Sequence, residues 1–157
     1  MKFRYLILFA LLVVFPRSSF AQMADKKALT LQEAQKIAAV AEAAAVKNHL
    51  RQSIAIIDDG GNLLVFYRMD NAQLAGVKMA QGKAHTALFF QSPSKAFADR
   101  ITKGQTNVLD LPGLLPADGG LPLMYQGQLV GAVGVSGASP TQDGQTAAAA
   151  AAALQQN

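Results

Sequence analysis

The chain of 157 residues has no cysteine and no tryptophan, and only two histidines. Without cysteine there is no disulfide, no thiol nucleophile, no thiolate metal site and no covalent c-type haem attachment. An exported protein of this composition must rely on its core alone for stability. Charged residues make up only 15% of the chain. The apolar run Tyr5–Phe15 is too short to span a bilayer, which takes about 20 residues.

That run follows Lys2 and Arg4 and precedes Ser19-Phe20-Ala21. A basic start, an apolar stretch and small residues before a cut form the pattern of a secretory signal peptide. Cleavage is expected after Ala21, leaving one domain from Gln22 to Asn157 in the periplasm or outside the cell. Losing Lys2, Arg4 and Arg17 reduces the 14 basic residues to 11, against 10 acidic ones. The basic pI therefore belongs largely to the targeting segment. No nucleic-acid partner is expected, because no aromatic residue after Ala21 lies in a basic cluster. No membrane attachment is expected after cleavage, and without cysteine there is no lipoprotein anchor.

Thr30-Leu31-Gln32-Glu33 has the form of a capping box, and apolar residues from Leu31 to Ala45 recur at helical spacing. A first helix is predicted over 31–47, stopped at Asn48. Ser53–Ile57, the turn Asp58-Asp59-Gly60-Gly61-Asn62 and Leu63–Arg68 predict a hairpin. A second helix is expected over 72–90 and a short helical turn over 94–102. A long loop over 103–118 is punctuated by Gly104, Pro112, Gly113 and Pro116. A second hairpin, 121–125 with 128–135, carries Pro122, which suits an edge strand. After a loop over 137–144, an alanine-rich helix is expected from Thr146 to Gln155. Helices alternating with hairpins give an α+β domain with an antiparallel sheet of at least four strands.

Glycines at 119, 120, 131, 134 and 137 sit where strand side chains would pack. Such positions admit a helix, a second subunit or a flat ligand. His85, within Lys83-Ala84-His85-Thr86-Ala87, is either an idle helix histidine or a ligand to haem iron or another metal. Met69, Met79 and Met124 are alternative axial ligands, and Arg68, Lys78 and Lys83 could face propionates. His49 suits a helix C-terminus, and Asp58 and Asp59 read as turn residues. No His-Glu-x-x-His run, nucleophile elbow or dinucleotide fingerprint is present.

Four motifs in order carry a resemblance. They are Asp58-Asp59-Gly60-Gly61-Asn62-Leu63-Leu64 with Arg68-Met69-Asp70, then Lys83-Ala84-His85-Thr86-Ala87, then Gly119-Gly120-Leu121-Pro122-Leu123, then Gly131–Gly137 with Asp143. Together they resemble the GlcG/HbpS-like family, related to the C-terminal domain of PduO proteins. The resemblance spans about Leu29 to Leu154. It implies a profilin-like three-layer α/β/α fold with a five-stranded antiparallel sheet, and assembly into homo-oligomers. Some members bind haem, and an exported member serves as a haem-responsive accessory to a sensor system. The expected ligand is therefore a small molecule, with non-covalent b-type haem first. His85 is the expected axial ligand, Lys83 and Arg68 pair with propionates, and Gly119, Gly120 and Gly131 admit the macrocycle. Oxidative haem degradation and ligand-free structural assembly are the alternatives.

Overall fold

The computed structural model describes residues 25–154. The expected signal peptide and its cleavage site lie outside the described residues, as does Gln155.

Helix α1 (Leu31–Lys47) begins where the sequence predicts, with Thr30 Oγ1 accepting from the Glu33 backbone N–H. It ends at Asn48 and His49. His49 takes a left-handed φ of 57°, and Leu50 N–H closes on the Ala45 carbonyl. Strands β1 (Ser53–Asp58) and β2 (Leu63–Arg68) form the first hairpin. Helices α2 (Leu74–Phe89) and α3 (Ser94–Thr102) follow. Thr106–Asp110 is a short 3-10 turn within the expected loop. Strands β3 (Gly120–Tyr125) and β4 (Gln128–Ser136) make the second hairpin.

Helix α4 spans Pro140–Ala153, starting six residues before the expected Thr146. Ser139 caps it, Pro140 occupies its first turn and Gln142 closes a capping box. These signals outweigh the helix-weakening Gly144.

The sheet is antiparallel, in the order β2-β1-β4-β3. Four strands are present among the described residues, not the five implied by the resemblance. Segment 103–118, the longest stretch left for another strand, forms the 3-10 turn and irregular chain instead. Pro122 lies on edge strand β3, where its missing N–H is tolerated.

Helices α1 and α4 cover one sheet face and α2 covers the other, with α3 beside it. Ile54 and Ile56 of β1 and Val133 and Val135 of β4 meet Ile37, Ala38 and Ala41 of α1 and Ala147 and Ala150 of α4. Each fully buried isoleucine contributes about 1.5–3 kcal/mol. The opposite face is thinner: Ile57 and Ala132 pack on Ala84, Ala87 and Leu88 of α2. Gly134 brings α2 onto the sheet backbone, since a Cβ there would strike the Ala80 carbonyl.

Candidate functional site

Lys83 turns inward from α2 and is 1% exposed. Its ammonium donates to Asp143 Oδ2 at 2.8 Å and to the Val135 carbonyl at 3.0 Å. The other carboxylate oxygen of Asp143 accepts from Gln52 Nε2 at 2.8 Å and from the Ala138 N–H at 3.0 Å. Thr146 Oγ1 donates to Gln52 Oε1 at 3.0 Å. The ion pair is thus buried and hydrogen-bonded on both sides, as a charge pair away from water must be. The structure gives Lys83 a partner other than the propionate expected for it.

The same holds for three of the glycines. A Cβ at Gly119 would meet the Val135 carbonyl and lie 3.0 Å from Lys83 Nζ; one at Gly120 would strike the Lys83 carbonyl. A Cβ at Gly131 would strike the Ile57 carbonyl and lie 3.3 Å from Leu29. The space these residues leave is filled by the chain's own atoms, not held open for a macrocycle.

His85 and Arg68 lie on the α2 side of the sheet. Strand register pairs Ile57 with Leu63, Ala55 with Phe66 and Ser53 with Arg68. Leu63, Phe66 and Arg68 therefore project from β2 on the face that α2 covers further along the sheet. Helix α2 packs over β1, β4 and β3, so this part of edge strand β2 borders the helix without lying under it. Leu63 stays 48% exposed and Phe89 58%.

The half-buried His85 imidazole stands at one end of this open face. The edge of its ring contacts Phe89, with centroids 5.2 Å apart and planes at 67°. Gly61 (φ 84°) in the β1–β2 turn leaves it room: a Cβ there would lie 3.7 Å from His85 Nδ1 and 3.4 Å from the Phe89 ring. No hydrogen bond holds the imidazole among the described residues. Arg68 stands at the other end, roughly 17 Å from Leu63 along the strand. One of its terminal nitrogens donates to the Ala72 carbonyl at 3.0 Å.

The turn beside His85 is held by Asp58. Its Oδ1 accepts from the Gly60 N–H at 2.9 Å and the Asn62 N–H at 2.7 Å. Partial burial would raise the Asp58 pKa, but these bonds, the Asn62 side chain and nearby Lys26 outweigh it and hold the carboxyl below its ordinary value.

Two cavities open elsewhere. One, of about 350 Å³, lies among Lys27, Leu29, Tyr125, Val130 and Leu154. The other, of about 360 Å³, includes His49, Arg51, Met69 and Asp70. Met69 Sδ already accepts from the Gln52 N–H at 3.4 Å. Met79 and Met124 are exposed on α2 and β3. No cluster of three or more potential metal-binding His, Asp or Glu side chains occurs among the described residues. Sequence reasoning missed Asp143, Gln52 and Thr146 as the partners that enclose Lys83.

Comparison with known proteins agrees with this architecture. The family model "Haem degrading protein HbpS-like" matches residues 29–152. Protein GlcG of Escherichia coli is 40% identical over 114 residues, 73% of this chain and 85% of the relative. A crystal structure of a Streptomyces reticuli HbpS double mutant is 38% identical, with a TM-score of 0.76 over 84% of this chain and 90% of that one. A crystal structure of a PduOC:heme complex is 27% identical, with a TM-score of 0.74 over 82% of this chain and 96% of that one. With the family model matching residues 29–152, most of the chain, this protein belongs to the HbpS-like family.

Proposed function

We propose that this protein binds haem non-covalently, with His85 as the axial ligand. One observation carries the reading: a half-buried imidazole, with no hydrogen bond among the described residues, faces an apolar surface beside the Gly61 turn. The uncovered face of β2 supplies Leu63 and Phe66 for the macrocycle, with Phe89 beside the imidazole. Arg68 keeps further guanidinium donors for a propionate. Bound haem would supply an iron centre for ligand sensing or oxidation. The family description and the PduOC:heme complex support this choice of ligand. Lys83 has no part in it, being committed to Asp143.

The N-terminal pattern supports export, and the bare Leu63 and Phe89 support self-association over this face. Haem titration followed by absorption spectroscopy tests the reading. The Soret band should shift and saturate at fixed stoichiometry, and His85→Ala should weaken binding about tenfold or more, roughly 1.4 kcal/mol. An unchanged spectrum and affinity in that variant would remove His85. Reductant-dependent conversion to a bilin, insensitive to catalase, would add a degrading activity to the binding role.

A further inference from the structure

A second cavity on the far side of the sheet from His85 has the chemistry of a separate ligand site. It lies between the start of α1, the β3–β4 turn and the end of α4. Its floor is apolar and well packed: Leu29, Val130 and Leu154 are only 8%, 2% and 4% exposed and belong to the α1–α4 core. Its rim is polar. Lys36 is paired with Glu33 at 3.1 Å, so those two charges offset each other. Lys27 uses its backbone N–H on Gln128 Oε1 at 3.1 Å, while its ammonium meets no carboxylate among the described residues. The Tyr125 hydroxyl accepts a long 3.5 Å contact from Gln126 Nε2, which leaves its proton to donate.

We propose that this cavity binds a small amphipathic monoanion, a monocarboxylate with an aliphatic or aromatic body. The net charge of the lining is one positive unit, which calls for one negative charge. Lys27 and Tyr125 donate to the carboxylate from the rim, and the apolar body lies on Leu29, Val130 and Leu154. A volume of about 350 Å³ lies at the small end of ligand pockets. It suits a body of roughly six to ten carbons and is too small to enclose a tetrapyrrole. The site is independent of His85, because the whole sheet lies between them.

Octanoate and octan-1-ol are the probes, titrated calorimetrically into the protein. Octanoate should bind saturably, one per chain, and more tightly than the alcohol. Lys27→Glu should weaken octanoate by about fivefold or more while leaving octan-1-ol unchanged. Ala28→Trp, which fills the cavity from an exposed position, should abolish binding of both. Both variants alter exposed residues, and circular dichroism checks that each is folded. His85→Ala should bind octanoate as the unmodified protein does, so failure of this site and failure of the haem site are distinguishable. Absence of saturable octanoate binding would overturn the proposal. So would equal affinity for the alcohol, or indifference to both variants.

Discussion

Replacing Lys83 by methionine leaves the Asp143 carboxylate buried without its counter-charge. The carboxylate keeps two donors, Gln52 Nε2 and the Ala138 N–H, which soften the loss without supplying a charge. Breaking a buried pair from one side costs about 3–5 kcal/mol. The two remaining donors put Lys83→Met near the lower end, at about 3 kcal/mol. Asp143→Leu strands the ammonium with the Val135 carbonyl alone and should fall near the upper end, about 5 kcal/mol. Against a total stability of about 5–15 kcal/mol, either change is severe. The double variant removes both charges and leaves the Gln52 and Ala138 donors and the Val135 carbonyl without these partners. With no charge left unpaired, it should cost less than the two single changes together, by about 2 kcal/mol or more. Urea unfolding with linear extrapolation measures all three, and the double-mutant cycle isolates the coupling. Single losses below about 1 kcal/mol, or a double loss equal to the sum of the singles, would refute the argument. The same experiment bears on function: folded Lys83→Met should keep its haem affinity, whereas Arg68→Ala should lower it.

Three other outcomes follow from single positions. Gly134→Ala would drive a methyl group into the Ala80 carbonyl and to 2.6 Å from Ala84 N; thermal unfolding should reveal a loss of about 3 kcal/mol or more as α2 is pushed off the sheet. His49→Gly relieves a left-handed φ of 57° and should raise the urea midpoint by an amount worth about 0.5–1 kcal/mol. Because the folded Asp58 carboxyl titrates below its ordinary value of 3.8, its contribution to stability is complete above that value and is lost as pH falls through the folded value. A urea-midpoint series from neutral to acid pH should fall less steeply for Asp58→Ala than for the unmodified protein.

The local elements were legible because their signals are local. Thr30 and Glu33 mark the start of α1 three residues apart, and Asp58 to Asn62 close a turn within one short run. The start of α4 is legible too, in Ser139, Pro140 and Gln142, although Gly144 weakens the helical pattern between that cap and the alanine tract. The role of Lys83 was not legible. Among alanines and threonine it resembles a surface lysine, and its carboxylate partner is 60 residues away. The glycines showed that something approaches the second hairpin, without distinguishing α2 and the neighbouring chain from a ligand. At His85 the residue was visible in sequence, but its setting depends on which β2 side chains share the α2 face of the sheet. That follows from strand register, and a one-residue slip in register would reverse it.

The strand order also governs how the protein is made. The two central strands are β1, near the beginning, and β4, near the end, with Ile54 paired to Val135. A chain emerging from its N-terminus has only one isolated hairpin and unsupported helices until β4 arrives, and such pieces are marginal in water. Lys83 waits longer still, because its carboxylate arrives with the last helix. Cooperative folding therefore waits for β4, and the non-local pairing makes it slow.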